Sequence, residues 1–456
     1  MAAEVDYSGK IEPKILEKYK IMKCLGKGSY GIVWKGMHKL TGDIWAIKKN
    51  FDAFRNSTDA QRTYREITIL RELHNHPNII KLQDVIQAKG NKDIYLIFDC
   101  MDTDLHAVIK KRSILHDVHK RYILYQILKA TKYIHSGNVI HRDLKPSNIL
   151  LDSQCSVRLC DFGLARSLGQ IEDEHCGLTQ YVVTRWYRAP EIFLGCQYTK
   201  GVDMWSVGCI LGEMLLGKAL FPGTSAIHQM ELIQRVTEPS KQDIDEVDKV
   251  FGRILSATKR DQTSLEELLP DAPPDALDLM GKLLVFNPEH RLTAEEALCH
   301  PYVSRFHDTN EPVLGHDVVL PVNDYTQLPV YEYRKLLNKL TQGLREASIR
   351  EASGQSASKI VQQEPSPLHC NVDLNRTITR TSDPITHVIK SYTVPGTGLK
   401  EKAALLAKLH DEEPFGVASS SKVADHRRGR NRKEENRAPA VNDEHRKPPM
   451  KESLNK

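Results

Sequence analysis

The sequence predicts an α+β chain of two lobes, a small strand-rich one followed by a larger helical one, ending in a long unstructured tail. Three observations carry this reading. Short apolar runs bounded by glycine and polar turns dominate the first hundred residues, as strands require. Beyond Asp104, apolar residues recur at three- and four-residue intervals, the period of a helix with one buried face. After about residue 350 the large apolar side chains thin out: residues 351–456 hold two aromatics, Tyr392 and Phe415, against eight prolines. A segment so poor in burial cannot offset its ordering entropy, and disorder is expected there.

Taken in order, residues 1–18 form an N-terminal segment that lacks the apolar run of a secretory signal. Residues 19–25 and 32–36 read as strands around a glycine turn, and 44–48 follows the turn Thr41-Gly42-Asp43. Residues 59–73 place Ile67, Leu70 and Leu73 at helical spacing, and 94–98 reads as another strand. The helix expected over 119–135 carries a stripe of Ile123, Ile127, Ala130 and Ile134. Further helices are expected over 202–216, 276–284 and 294–298. The globular body therefore spans 19–302, with a break between lobes at 99–103 and an extension over 303–350. Within the extension, Leu336, Leu337, Leu340 and Leu344 predict a helix over 324–350 that packs back on the body. Tyr333 to Leu336 also fits an aromatic-x-x-leucine pattern used in short interaction motifs. In the tail, 399–409 has the makings of a partner-induced helix, and the basic cluster 427–433 suits nuclear import, an anionic surface or plain solvation.

Composition excludes several classes. Lys plus Arg number 64 against 59 Asp plus Glu in 456 residues, so no direct nucleic-acid binding is expected. The most apolar stretch, 207–220, is interrupted by Glu213 and Lys218, so no membrane span is expected. Nine cysteines, an odd number without a CxxC pair, fit reduced thiols better than a disulfide frame or a zinc site.

The chemistry lies in five separated motifs. Gly26-Lys27-Gly28-Ser29-Tyr30-Gly31-Ile32-Val33 joins two strands, and such glycines let backbone N–H groups approach phosphates. A dinucleotide-binding turn would lead into a helix, whereas a second strand follows here. Ala46-Ile47-Lys48 then sets a lysine in a buried strand, and Glu66, eighteen residues on, is its natural counter-ion. His141-Arg142-Asp143-Leu144-Lys145-Pro146-Ser147-Asn148 offers a carboxylate to accept a hydroxyl proton and, five residues on, an amide oxygen for a hard cation. Asp161-Phe162-Gly163 follows thirteen residues later with a second oxygen ligand, and Ala189-Pro190-Glu191 comes twenty-eight after that. Each fragment alone could be a capped turn; their joint order and spacing could not.

Over residues 19–301 the sequence resembles a eukaryotic protein kinase. The resemblance implies the two-lobed kinase fold, ATP at the lobe junction and Mg²⁺ held by Asn148 and Asp161. It implies an adenine pocket lined by Leu25, Val33 and Ala46, a hinge at Asp99, Cys100 and Met101, and Phe98 at the pocket's rear. Gly26 through Ile32 would cover the phosphates, Asp143 would be the catalytic base, Lys145 would neutralise the transferred phosphoryl group, and Thr184 would contact both. Lysine two residues after the aspartate is similar to serine/threonine kinases. Asp203 and Trp205 would anchor the catalytic loop and Arg291 would pair with Glu191, all as scaffold.

Thr179-Gln180-Tyr181 resembles the TxY activation lip of mitogen-activated protein kinases. This implies Ser-Pro or Thr-Pro sites in protein substrates and a switch worked by phosphates on Thr179 and Tyr181. By the same resemblance Arg65, Arg142 and Arg166 would gather phospho-Thr179, with Arg185 and Arg188 meeting phospho-Tyr181. Asp308 and Glu311 match a thin version of the family's acidic docking groove for basic peptides. Gln180 departs from the glutamate, glycine or proline of the main branches, and the hinge run and basic tail resemble an atypical branch that phosphorylates its own lip. A monomer in the cytoplasm or nucleus, or at the cilium or basal body, is implied. Competing readings are a kinase-shaped scaffold acting through its tail and a cyclin-dependent-like kinase; an intact set of base, lysines and metal ligands weighs against the first, and Tyr181 against the second.

Overall fold

The computed structural model describes residues 11–28, 31–90, 92–111, 114–170, 184–194, 198–237, 262–323 and 326–352. The first lobe is an antiparallel five-stranded sheet of β1 (Tyr19–Gly28), β2 (Gly31–His38), β3 (Ile44–Asn50), β4 (Leu82–Gln87) and β5 (Ile94–Asp99), in the order β1-β2-β3-β5-β4. Strand alternation sorts its side chains. Trp34, Ile47, Tyr95 and Ile97 face one way and form a core with Ile15 and Tyr19. Lys48 pairs with Val33 on one side and Leu96 on the other, and Ala46 pairs with Phe98, so these residues share the opposite face. Ile15 comes from α1 (Pro13–Lys18), a helix the sequence reading folded into a featureless segment. α2 (Ser57–Glu72) crosses beneath the sheet; the Asn56 side chain accepts from the Asp59 N–H at 2.8 Å and caps its start.

β4 was not expected, for a physical reason. Its ladder pairs Leu82 with Phe98 and then Asp84 with Ile97, so Gln83 is an extra, bulged residue. The bulge brings Leu82 and Val85, three residues apart, to the same core, while Ile86 is buried on the other face of the sheet, so the period-two signal is lost.

The second lobe is built on α4 (Asp117–Ser136) and α6 (Gly201–Leu216), with α3 (Leu105–Lys110), α5 (Pro190–Phe193) and α7 (Ala226–Val236) around them. Most of α6 is buried, and it ends at Gly217, whose φ of 73° is the left-handed conformation glycine adopts most cheaply. Helices at Pro274–Leu283 and Ala294–Leu298 match the expected ones closely. The second lobe also carries two small ladders: β6 (Thr103–Asp104), β8 (Ile149–Leu151) and β9 (Val157–Leu159) form one, β7 (Val139–Ile140) and β10 (Arg166–Ser167) the other. Arg291 and Glu191 meet through two bonds of 2.6 and 2.7 Å, and Arg291 also donates to the carbonyls of Val285, Phe286 and Gly201. A buried ion pair satisfied this fully holds a loop in place without stranding a charge.

The extension returns to the first lobe. The Val318 N–H donates to Gly137 O at 2.9 Å, and the helix Val330–Ala352 then packs on α2 and β4. Tyr333 is fully buried, 5.9 Å from the Tyr64 ring, and the Arg334 guanidinium lies 4.8 Å from the centre of the Phe54 ring. The interaction-motif reading of Tyr333 to Leu336 is thereby corrected: a short linear motif needs its aromatic accessible, and this one is core. Among the described residues six cysteines are all unbridged, and no helix is long and apolar enough to cross a membrane. The tail beyond Ala352, with its expected disorder, lies outside the described residues.

Tyr333→Ala should destabilise the chain by about 3–5 kcal/mol in urea unfolding, as loss of a buried aromatic does. Tyr331→Ala, two residues away and 66% exposed, should stay within about 0.5 kcal/mol of wild type.

Candidate active site

The cleft between the lobes collects residues from five segments. From β3, Lys48 Nζ reaches Glu66 Oε1 of α2 at 2.7 Å. Burial works against the ammonium, but Glu66 and Asp161 outweigh it and hold the lysine above its ordinary pKa. Opposite, the catalytic-loop residues are pinned by Asp203 of α6, whose two carboxylate oxygens accept from the backbone N–H of His141 at 2.8 Å and of Arg142 at 2.9 Å. His135 Nε2 lies 2.9 Å from the same carboxylate. Burial would raise the Asp203 carboxyl; the bonds to His135 and His141 reverse that and keep it ionised.

Asp143 is buried, and its Oδ2 accepts from Lys145 Nζ at 2.8 Å and from Asn148 Nδ2 at 3.1 Å. Asn148 Nδ2 also donates to the Asp143 carbonyl, so the amide turns its nitrogen to the aspartate and its oxygen away. Burial raises the Asp143 carboxyl above the usual range against the pull of Lys145. Asp161 behaves oppositely: burial pushes up, but Lys48, Arg62 and Lys145 together hold it at about 2. Two carboxylates in one cleft are thus driven apart in acidity, the arrangement expected of a proton acceptor beside a permanent anion. Both Arg142 (φ 66°) and Asp161 (φ 63°) have left-handed backbones, which cost non-glycine residues about 1–2 kcal/mol each and persist only when surroundings enforce them.

The upper wall fits a nucleotide. Val33 and Ala46 lie on the Lys48 face of the sheet with Phe98 behind, and Leu25 is half-buried on β1. Among the described residues no backbone oxygen receives the Met101 N–H. The glycines differ in purpose: a Cβ on Gly31 would collide with the Lys49 carbonyl, whereas one on Gly28 would meet no protein atom within 4 Å. Packing demands the first, and the space beside Gly28 is open to a ligand. Three residues depart from expectation here. Ile32 packs into the core on the far face of the sheet and cannot touch the cleft. The Asp99 carboxylate is engaged by Gln83 and Arg158, so only its backbone is left for a nucleotide. Thr184 is exposed; it lines a small cavity with Asp143 and Arg188, yet no hydrogen bond joins it to Asp143 or Lys145 among the described residues. Gly26 and Lys27 were expected in the turn after residue 25, but β1 continues through them to Gly28, paired with β2; Ser29 and Tyr30 lie outside the described residues.

Thr179 and Tyr181 also lie outside the described residues, but the arginines expected to serve them converge. Arg65 donates to Gly163 O at 2.8 Å, Arg142 to Leu164 O at 3.5 Å, and Arg166 to Leu164 O and Ala165 O at 3.4 and 3.0 Å. Arg185 is exposed and Arg188 half-buried. In the docking pair, Asp308 is exposed and caps the Asn310 N–H. Glu311 is corrected: its side chain is 3% exposed, 3.3 Å from His307 Nδ1 and beside Tyr125 and Lys129, so it braces the fold and faces no solvent. The residue sequence reasoning missed is Arg62, 3.8 Å from Asp161 and lying against Gly163, where a Cβ would be 2.7 Å from its Nε. Its place one turn before Glu66 on α2 was the available signal.

A strand-rich lobe and a helical lobe enclosing a lysine–glutamate pair and two carboxylates of opposed acidity make the arrangement of a protein kinase. Residues 19–303 match the protein kinase domain, and the chain belongs to that family. Its place is among the mitogen-activated serine/threonine kinases. It is 60% identical over 361 residues to Mitogen-activated protein kinase 15 of Xenopus laevis, covering 77% of this chain and 61% of that relative. It is 52% identical over 402 residues to Mitogen-activated protein kinase 15 of Mus musculus, covering 86% and 70%. Extracellular signal-regulated kinase 2 of Dictyostelium discoideum is 53% identical over 335 residues, covering 72% and 90%.

The opposed acidities predict a pH profile. A base must be unprotonated to work, so kcat/KM for a Ser-Pro peptide should fall as pH drops through the raised Asp143 value, while Asp161, at about 2, stays charged. Lys145→Met removes the cation that lowers Asp143, so the acid limb should move to higher pH; an unmoved limb would assign it to another group.

Proposed function

We propose that this chain transfers the γ-phosphoryl group of ATP to serine or threonine hydroxyls that precede proline, and that phosphates on Thr179 and Tyr181 switch it on. The observation that carries the reading is the assembled 2.7 Å Lys48–Glu66 pair facing Asp143, Lys145, Asn148 and Asp161 in one cleft. Lys48, oriented by Glu66, is positioned to bind the nucleotide's phosphates as a point charge. The Asp143 carboxylate accepts the proton of the incoming hydroxyl as its oxygen bonds to phosphorus and ADP departs. Lys145 balances charge on the transferred group, and its grip on Asp143 Oδ2 leaves Oδ1 for the substrate. Asp161 and the outward amide oxygen of Asn148 suit Mg²⁺, a hard cation that takes oxygen ligands. When bound, the ion would neutralise phosphate oxygens.

The switch is supported by the arginine convergence on residues 163–165, directly after the metal-binding segment. A phosphate adds nearly two negative charges and rewards arginine forks. Because Arg65 sits one residue before Glu66, tension on this cluster bears on the Lys48 pair. Self-phosphorylation of the lip is supported by Gln180, which differs from the residues of the branches that the family resemblance ties to dedicated activators. Its relatives named Mitogen-activated protein kinase 15 agree with the atypical branch.

Chain stripped of phosphate and returned to Mg·ATP should regain lip phosphate by mass spectrometry, and Asp143→Asn should not. That variant should lose at least about 100-fold in turnover of a Ser-Pro peptide while still binding nucleotide. Wild-type lip that stays bare would assign activation to another kinase, and full turnover by Asp143→Asn would remove Asp143 from the base role.

A further inference from the structure

Arg62 and Glu66 stand one turn apart on α2, so both side chains leave the same face of the helix. Glu66 takes Lys48, while Arg62 extends over Gly163 toward Asp161. Its Nη2 comes within 3.8 Å of Asp161 Oδ1. A Cβ on residue 163 would lie 2.7 Å from the Arg62 Nε, so the bare glycine makes the room this side chain uses. Three residues on, Arg65 donates to the Gly163 carbonyl at 2.8 Å and holds the helix against the same turn.

At 3.8 Å the contact is an ion pair without a hydrogen bond. A cation at that range cancels the charge of a carboxylate yet leaves the lone pairs of Oδ1 to a hard ion. Three carboxylates of the cleft are each matched in this way: Glu66 by Lys48, Asp143 by Lys145 and Asp161 by Arg62. When no nucleotide is bound, that matching leaves little net negative charge to draw in a divalent ion. A metal that joins Asp161 must also lie near the guanidinium, and the two cations repel. We propose that Arg62 is the resident counter-ion of Asp161: it neutralises the carboxylate, opposes the divalent ion that shares it, and so sets the Mg²⁺ concentration at which the cleft holds nucleotide. This role rests on the phosphoryl-transfer reading above. Arg62 is a positioning residue, acting through Asp161 and not on the reacting atoms. The Arg62 and Asp161 side chains are 23% and 29% exposed, so solvent screens the pair in part and the repulsion is modest.

The test uses the full chain, treated with phosphatase so that no lip phosphate competes for the guanidinium. Mant-ADP fluorescence is followed as free Mg²⁺ is raised, beside mant-ADP affinity in EDTA and thermal unfolding. Formation of Mg·mant-ADP in solution is common to every variant, so a shift in the Mg²⁺ midpoint belongs to the protein. Arg62→Met keeps an unbranched stem over Gly163 and removes the charge. Its midpoint should fall by about threefold to tenfold, with affinity in EDTA unchanged or weaker. Arg62→Gln should move the midpoint in the same direction, and Arg62→Lys, which keeps the charge, should stay within about twofold of wild type. A midpoint that stays in place or rises in folded Arg62→Met or Arg62→Gln would overturn the counter-ion role. So would an affinity that drops equally at every Mg²⁺ concentration, the mark of an arginine that holds phosphates. Wild-type chain that binds no mant-ADP at any Mg²⁺ concentration would overturn the phosphoryl-transfer reading itself, and the counter-ion role with it.

Discussion

The geometry of the cleft hangs on one buried carboxylate. Asp203 projects from α6 and takes the N–H groups of His141 and Arg142, one on each oxygen. Those bonds compensate the left-handed backbone at Arg142 and so fix the direction in which Asp143 leaves the chain. An unpaired anion at this depth would be costly; bonds to two amides and His135 keep it charged and the loop rigid. α6 can serve as this anchor because it is itself immobile, with Gly208 packed against Leu283 and Leu284, and Trp205 stacked near Phe221 and Arg291.

From that fixed loop the charges alternate across the cleft. Lys145 meets Asp143, Asp161 meets Lys48 and Arg62, and Lys48 meets Glu66. Lys145 lowers the proton affinity of Asp143, and Lys48 and Arg62 that of Asp161, each against the opposing effect of burial. Asp143 is enclosed, with Lys145 as the cation bonded to it, and rises; Asp161 has three cations and falls. The difference suits the two to the proposed roles of proton acceptor and cation ligand without any change of residue type. His141 ties the two segments together, its ring 4.7 Å from Phe162 and its Nε2 3.1 Å from the Cys160 carbonyl.

The extension shows how a segment outside the matched domain becomes part of the catalytic body. Its helix covers α2, the element that carries both Glu66 and Arg65, with Tyr333 against Tyr64 and Gln327 bonded to Thr58. Further back, the turn that bears Asp308 is held by Glu311 turned inward to His307. An acidic pair on paper is therefore one exposed acid and one internal brace.

The sequence by itself determined the chemistry and its order. Lys48, Glu66, Asp143, Lys145, Asn148 and Asp161 were readable because the reaction demands those residue types at short, local spacings, and the long helices because their apolar period is local too. What only the tertiary structure decided lies between distant segments. The bulge at Gln83 hid β4 and at the same time aimed an amide at Asp99. Arg62 looks like any surface arginine until α2 is laid against Gly163. Glu311 read as exposed because glutamate usually shows its polar end to water, and nothing near it in the chain announces the partners that bury it; for Tyr333 the apolar spacing of its helix did predict packing, but not against which surface. Local spacing encodes chemistry; burial is a property of whichever remote surfaces meet, and one sequence read alone does not contain that pairing.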